Sequence, residues 1–260
     1  MSDRLLAPFG SLGRGGMLLA TGIGGWGVLA GRTFLALRHV DVWGRLLLQQ
    51  MARIGVDSVP IALFIAAFTG IVLSLQASYT FTGAIPLYFV GVLVGKTMML
   101  ELGPVLTGLA LSGRVGASIA AEIGTMRVTE QVDALETMGY PPLAYLIAPR
   151  VLAGIIMFPM VTMLAIALGI VAGWLTALAL LDLSTPAFVS GLQLFFFPFD
   201  VTFAVVKSVS FGFVVTSIGC FFGFETTGGA EGVGRNTTRA VVASSMVILV
   251  LDAFWAVVLL

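Results

Sequence analysis

The chain contains 260 residues, of which 58% are hydrophobic and only 10% carry a charge, and its formal net charge is zero. Its mean hydropathy of +1.07 lies well above the range of soluble globular domains, which excludes an ordinary soluble protein and indicates an integral membrane protein. The only histidine, His39, and the only cysteine, Cys220, provide no His/Cys cluster for a metal and no disulfide within the chain. We therefore expect neither a metal site nor a Ser/His catalytic pair.

The N-terminal region, residues 4–55, is predicted to lie along the membrane surface rather than to cross it. Its most apolar stretch, residues 17–31, is short and has arginines on both sides, an arrangement that the positive-inside rule disfavours for a crossing helix. The later stretch WGRLLLQQMARIGV is amphipathic as a helix. Its apolar face holds Leu47, Met51 and Ile54, and its polar positions hold Arg45, Gln49 and Arg53. We assign residues 1–56 to this interfacial region and residues 57–260 to the membrane domain.

Five stretches are apolar over the length that a membrane-spanning helix needs, about 20 residues. They are residues 58–81, 87–111, 151–181, 201–224 and 241–260. The sequence lacks the alternating pattern of a membrane β-barrel, so we predict helical spans and an all-α polytopic fold. The third stretch has no charge over its whole length, and we expect one long, tilted helix that bends near Pro159.

The arginines predict the orientation of these spans. All eleven lie before the first span, between the second and third spans, or between the fourth and fifth. The connections on the opposite side, residues 80–86 and 182–199, contain no Lys or Arg. The positive-inside rule therefore places the N-terminus in the cytoplasm and the C-terminus on the outer, periplasmic side.

An acidic segment, AEIGTMRVTEQVDALETMGYPP, interrupts the apolar pattern between the second and third spans. This stretch is predicted to contain a cytoplasmic helix, with Gly139 as its C-terminal cap and Pro141 and Pro142 after its end. This helix combines an apolar stripe of Val128, Val132 and Leu135 with an acidic surface of Glu130, Asp133 and Glu136. Because Arg127 is its only basic residue, it is better suited to contact a protein than an anionic lipid surface.

Four charged residues lie within the predicted spans, where each costs about 2.5 to 3.5 kcal/mol at a helix centre. They are Lys96, Glu101, Lys207 and Asp252. Lys207 and Asp252 lie at similar depths, roughly 10 and 12 Å from the outer ends of the fourth and fifth spans at ~1.5 Å per residue. Because these spans are antiparallel and joined by a short connection, we predict a structural ion pair between the two residues. Pro104 removes the helical donor of the Leu100 carbonyl, which predicts a bend beside Glu101.

Three pairs of glycines have the small-xxx-small spacing of closely packed membrane helices. They are Gly91 with Gly95, Gly169 with Gly173, and Gly219 with Gly223. We expect them to pack helices within one chain rather than to form a specific dimer face. No glycine-rich stretch has the Gly-Lys-Ser/Thr ending of a phosphate loop, so we do not expect ATP to bind by that route.

The stretch ELGPVLTGLALSGRVGASIAAEIGTMRVTEQVDALETMGYPP, together with the later APRVLAG, KSVSFG and NTTRAVVASS, resembles the signature region of the MlaE permease family. The resemblance implies the permease subunit of an ABC transporter that moves phospholipids or related lipids. It further implies a homodimer in the bacterial inner membrane, a cytoplasmic ATPase that holds ATP and magnesium, an outer partner with MCE domains and, in many members, a STAS-domain protein. No cofactor is expected in this chain, and no nucleic acid among its partners.

The resemblance also assigns roles to individual positions. Residues 125–138 match the coupling helix, which sits in a groove of the ATPase. The coupling residues would be Arg127, Val128, Glu130, Val132, Asp133, Leu135 and Glu136. The lipid pocket would involve Leu75, Gln76, Tyr79 and Glu101. This chain has Leu100 where the family pattern has an Arg before the Glu, and we expect Lys96, one turn earlier, to replace that cation and to meet a lipid headgroup.

The four intramembrane charges are also consistent with a different function class, an ion-coupled secondary transporter that uses them as its coupling pathway. Inverted repeats would favour such a transporter, and none is evident in the sequence. The acidic cytoplasmic helix would also have no role in it. We therefore favour the ABC permease.

Overall fold

A computed structural model describes residues 21–22, 24–38, 40–81 and 86–259. Within these ranges the chain is helical with short connections, and no β-strand occurs. The predicted all-α fold class is therefore confirmed.

The helices are numbered here in chain order. They are α1 (24–36), α2 (Val40–Ile54), α3 (Val59–Thr80), α4 (Phe89–Thr97), α5 (Gly103–Leu111), α6 (Ala117–Val128), α7 (Gln131–Thr137), α8 (Ala148–Leu180), α9 (Thr185–Leu194), α10 (Pro198–Phe224) and α11 (Gly229–Leu259). A short 3₁₀ turn, Val56–Ser58, connects α2 to α3. Three π-helical turns connect α4 to α5, connect α5 to α6, and lead into α8; they are Met98–Leu102, Ser112–Gly116 and Leu143–Ile147.

Five helical stretches of the described chain are long and apolar enough to cross a membrane, which confirms the predicted number of spans. The second stretch is longer than predicted, because two π turns join α4, α5 and α6 into Phe89–Val128, a run of 40 residues. The helix therefore continues for 17 residues beyond residue 111, where the predicted apolar span ends. A π turn keeps the backbone hydrogen-bonded through Ser112–Gly116, so its two glycines do not end the helix.

The two helices before α3 pack against the rest of the bundle, and the first of the five long helical stretches, Val42–Thr80, begins within α2. Trp26 on α1 donates a hydrogen bond from its indole nitrogen to the Ser217 hydroxyl of α10, at 3.0 Å. On α2, the predicted apolar residues lie toward α8 and the predicted polar residues are exposed, which confirms the amphipathic pattern. The position of these helices at a membrane surface remains a prediction, and the part of the predicted interfacial region before residue 21 lies outside the described residues.

The core of the bundle is centred on α8, which packs against α2, α3 and α10. Glycines allow these helices to approach closely: a Cβ added at Gly70 would overlap the Gly169 carbonyl oxygen, and a Cβ added at Gly212 would overlap that of Gly154. The six glycines of the predicted pairs all face atoms of other helices in the same chain, so the prediction of packing within one chain is confirmed. The prediction of one long third span is also confirmed, since α8 runs for 33 residues with Pro159 inside it.

The predicted cytoplasmic helix over residues 125–138 is two helices. α6 ends at Val128, and α7 begins at Gln131 after Glu130, which has a left-handed backbone with φ of 60°. The prediction of one continuous helix is wrong, because a left-handed residue cannot continue a right-handed helix. The predicted cap at Gly139 is confirmed: its φ is 80°, and the Tyr140 amide bonds the Leu135 carbonyl at 3.0 Å.

Three apolar stripes remain exposed on the outside of the bundle, and the one on α8 consists of Ile156, Met160, Leu164, Ala167, Val171, Leu175 and Leu178. The stripe on α3 consists of Ile61, Phe64, Phe68, Val72, Leu75 and Tyr79. The stripe on α11 consists of Val242, Met246, Leu249, Val250, Phe254 and Val257. In each stripe successive members are one to four residues apart, so each runs along one helix face. These faces are available to lipid or to another chain.

The close contact between α3 and α8 makes Gly70 sensitive to substitution. We expect Gly70→Ala to lower the midpoint of thermal unfolding in detergent, because the added methyl group overlaps backbone and overpacking costs about 1–3 kcal/mol. Gly234→Ala on α11 is the matched control, since no atom lies within 4 Å of its added Cβ, and it should leave the midpoint unchanged or raise it. Equal midpoints for the two variants would contradict this account of the contact.

Candidate functional site

The ammonium group of Lys207 is the centre of a buried polar cluster in the membrane domain. The Lys207 side chain has no exposed surface. Its Nζ lies 2.6 Å from Oδ1 of Asp252 and 2.8 Å from Oε2 of Glu101. It also donates a hydrogen bond of 3.0 Å to the Leu100 carbonyl and lies 4.5 Å from the centre of the Phe203 ring. One cation therefore links the second, fourth and fifth spans.

The local backbone of the second span explains why the Leu100 carbonyl is available to Lys207. Pro104 has no amide hydrogen, so it cannot donate the helical hydrogen bond to Leu100. The preceding residues, Met98–Leu102, form a π turn in which the Gly103 amide bonds the Met98 carbonyl. A carbonyl left without a donor in the membrane interior costs free energy unless another group donates to it. The Lys207 ammonium supplies that donor.

The contact between Lys207 and Asp252 agrees with the similar membrane depths that the sequence predicts for the two residues. The Lys207 Nζ and Asp252 Oδ1 atoms are close, but their angles do not meet hydrogen-bond criteria. The contact is therefore an ion pair rather than a directed hydrogen bond. The sequence reasoning missed Glu101 as the second partner. Its neighbours carried the signal, since Pro104 predicted an irregular backbone beside Glu101. The side chains of the two acids are partly exposed, Glu101 by 37% and Asp252 by 21%, whereas the Lys207 side chain is not. The surroundings of this chain can therefore contact the carboxylates of the cluster but not its ammonium group.

Lys96 does not lie beside Glu101, contrary to the expectation from the sequence. Its ammonium lies 2.7 Å from Oδ2 of Asp200 and 4.7 Å from the centre of the Phe197 ring. The same Asp200 oxygen accepts the Phe197 amide at 3.1 Å, and so fixes the first turn of α10. The expectation that Lys96 replaces the missing arginine beside Glu101 is therefore wrong in geometry. The π turn that follows Lys96 alters the helical register, so faces assigned from a regular α-helix do not hold there.

The remaining predicted pocket residues lie on the exposed stripe of α3. Leu75 is 40% exposed, Tyr79 is 85% exposed, and Gln76 is also exposed. The opposite face of the same helix is buried through Leu73 and Ala77. Within a single chain these three residues line an open surface.

The predicted coupling residues surround the junction of α6 and α7. The three carboxylates of Glu130, Asp133 and Glu136 are exposed, and Asp133 forms an ion pair with Arg127. Val132 is fully buried, whereas Val128 and Leu135 are half-buried. The predicted apolar stripe therefore holds α7 against its own chain. Met138 and Tyr140, which follow α7, are exposed by 64% and 49% and add apolar surface that the sequence reasoning missed.

A second polar centre lies where α2, α6 and α8 meet. Glu122 on α6 accepts contacts from Arg53 on α2 at 3.0 Å and from Arg150 on α8 at 3.1 Å. Arg150 is buried and also donates to the Leu146 carbonyl at 2.6 Å. Neither Glu122 nor Arg150 was singled out from the sequence. A signal was present, because an acid and two arginines lie in segments that all reach the same side of the membrane.

Among the residues that the structure describes, no group of three or more His, Cys, Asp or Glu side chains could hold a metal ion. The model of the family described as permease MlaE matches residues 47–258, a range that reaches from the first of the five spans to the last. The chain belongs to the MlaE permease family. It is a multi-pass membrane protein and an ABC transporter permease subunit.

Three relatives illustrate the range of the MlaE family. The intermembrane phospholipid transport system permease protein MlaE of Haemophilus influenzae is 36% identical over 97% of this chain and 93% of its own length. A probable ABC transporter permease protein of Rickettsia prowazekii is 39% identical over 86% of this chain and 88% of its own. The chloroplastic protein trigalactosyldiacylglycerol 1 of Arabidopsis thaliana is 34% identical over 86% of this chain and 64% of its own.

The Lys207 cluster predicts unequal effects of its neutralising variants. Lys207→Met leaves Glu101 and Asp252 close together without a cation, and we expect a loss of about 3–5 kcal/mol. Asp252→Asn should cost less, because the pair of Lys207 with Glu101 remains. Unfolding of the purified permease in detergent would measure both losses.

The double variant tests whether Lys207 and Asp252 interact. Combining Lys207→Met with Asp252→Asn should cost less than the sum of the single losses, because one of the two uncompensated carboxylates is removed. If the losses simply add, the two residues act independently.

Proposed function

We propose that this MlaE-family permease moves phospholipid between the bacterial inner membrane and an outer partner with MCE domains. The proposal rests on one observation: a relative that is named for intermembrane phospholipid transport is 36% identical over 97% of the chain. The positive-inside rule supports a cytoplasmic N-terminus and a periplasmic C-terminus.

Several partners belong to this proposal. A cytoplasmic ABC ATPase holds ATP and magnesium and supplies the free energy, and a STAS-domain protein accompanies the ATPase. Two copies of the permease form a homodimer. A second copy would bury part of the α3 and α11 stripes, which are two of the three long apolar faces that the described chain leaves uncovered.

In the proposed mechanism, α7 and the adjoining turn receive the movement of the ATPase. Glu130, Asp133 and Glu136 offer negative charge to a basic groove, while Met138 and Tyr140 provide apolar contact. The displacement then passes along α6, which is continuous with the second span. The contacts of Glu122 with Arg53 and Arg150 support a shared movement of α2, α6 and α8.

The proposed lipid site lies along the outer half of the α3 stripe. Leu75 and Tyr79 would accept acyl chains, and Gln76 would meet a headgroup. A headgroup at Lys96 would have to compete with Asp200, and the Lys96 side chain is 27% exposed. Glu101 would border the site through its exposed carboxylate.

Nothing in the geometry favours the ion-coupled secondary transporter. Its four candidate residues form two sets of ion pairs, Lys96 with Asp200 and Lys207 with Glu101 and Asp252. Such pairs offset the cost of inserting each charge, which is a structural reason for their presence.

The acidic surface at α7 predicts how the ATPase is held. Changing Glu130, Asp133 and Glu136 to Lys should release the ATPase during co-purification, because the repulsion of like charges replaces attraction, while the permease dimer stays intact. Changing only Glu130 and Glu136 to Lys keeps the ion pair of Asp133 with Arg127 and should still weaken retention of the ATPase. Undiminished retention of the ATPase by the triple variant would refute the electrostatic role.

The proposed lipid site can be tested with photocrosslinkers at Leu75 and Tyr79. We expect both to capture phospholipid in membranes that contain the assembled transporter, with a yield that changes when ATP is added. A crosslinker at Leu175, which is 51% exposed on the α8 stripe, is the control for lipid contact unrelated to transport and should not respond to ATP. Capture of protein alone at Leu75 and Tyr79 would place the lipid site elsewhere.

A further inference from the structure

A polar cavity of about 270 Å³ lies between the turn that connects α2 to α3 and the side of α6. Its polar lining includes Arg53, Asp57, Arg114, Ser118 and Glu122. Ile54, Val115 and Ile119 form its apolar part. The cavity is separate from the Lys207 cluster and from the exposed α3 residues near Tyr79, which belong to the other half of the bundle.

The charges around this cavity are not all neutralised within the protein. Arg53 is paired with Glu122, whose other oxygen contacts Arg150. Arg114 donates to the Ser58 hydroxyl and to the Arg53 carbonyl, but in the described ranges it has no carboxylate within ion-pair distance. Asp57 is exposed and likewise forms no ion pair with any described residue. One cavity therefore presents an unpaired cation and an unpaired anion that do not neutralise each other.

Two opposite charges that line one cavity without pairing with each other fit a ligand that carries both signs. We propose that this cavity binds the headgroup of a zwitterionic phospholipid with a primary amine, such as phosphatidylethanolamine. The phosphate contacts the Arg114 guanidinium, which can hold two phosphate oxygens at once, and the ammonium contacts the Asp57 carboxylate. The assignment extends the proposed phospholipid transport, on which it rests, by naming a headgroup class and a second site.

The position of the cavity supports a lipid rather than a soluble phosphate compound. It adjoins the first turn of α3, a helix of 22 residues that spans roughly 33 Å at ~1.5 Å per residue, about the thickness of a hydrocarbon core. The cavity thus lies at headgroup level on the side where the arginines predict the cytoplasm. Val56 directly precedes Asp57 and is 61% exposed, and Ile61 follows four residues later and is 42% exposed, so apolar surface is available for acyl chains.

The charges of this cavity predict that Asp57 and Arg114 affect lipid binding differently. The full-length permease in nanodiscs with equal phosphatidylethanolamine and phosphatidylglycerol should retain the former in about threefold to fivefold excess, as counted by native mass spectrometry. Asp57→Asn should remove this preference by weakening phosphatidylethanolamine alone, because phosphatidylglycerol has no amine. Arg114→Gln should weaken both lipids, and Arg114→Lys should restore part of the binding.

Asp182→Asn is the matched control, since Asp182 is an exposed acid on the other side of the bundle. It should keep the preference of the unchanged protein. An equal ratio of the two lipids in the unchanged protein, or an unchanged preference in Asp57→Asn, would overturn the proposal. So would phosphoethanolamine in solution raising the midpoint of thermal unfolding as much as the lipid does, because the ligand would then be a soluble compound.

These outcomes separate this site from the proposed transport function. Loss of lipid capture at Leu75 and Tyr79, with the Asp57 effect intact, would refute the transport site and leave the headgroup site standing. Normal capture at Leu75 and Tyr79, with no effect of Asp57→Asn, would refute the headgroup site alone.

Discussion

The buried ammonium of Lys207 is the interaction on which the membrane domain depends. A charge at this depth is costly, and here three acceptors from two other spans surround it. Removing any one of the three helices would leave an uncompensated charge or an unsatisfied carbonyl in the bundle. The second, fourth and fifth spans therefore form a unit whose relative positions are set by electrostatics, while the glycine contacts of α8 add the third span by close packing.

Most of the helical architecture could be predicted from the sequence. Span number follows from apolar length, the cap at Gly139 from the freedom of glycine at positive φ, and the glycine contacts from their four-residue spacing. The contact of Lys207 with Asp252 followed from their matching depths and from the short connection between their two antiparallel spans. These outcomes were decided by properties that the sequence shows directly, namely length, spacing, residue type and connection length.

The parts that could not be predicted depend on single backbone conformations. Glutamate favours helices, so nothing in its type announces the left-handed conformation that separates α6 from α7 at Glu130. The π turn at Met98–Leu102 changes which residues share a face, and for this reason Lys96 contacts Asp200 rather than Glu101. The Glu122 centre joins three segments that are distant in sequence, and periodicity carries no information on such contacts.

The two ends of α7 have a consequence for how such permeases diverge. A residue with positive φ stands on each side of this seven-residue helix, at Glu130 and at Gly139, so its direction is set by the flanking turns and by the buried Val132. The exposed positions between these two residues do not determine the direction of the helix. They can change their charges without reorienting the helix, so under the proposed coupling role this surface can adapt to a different ATPase while the membrane bundle stays the same.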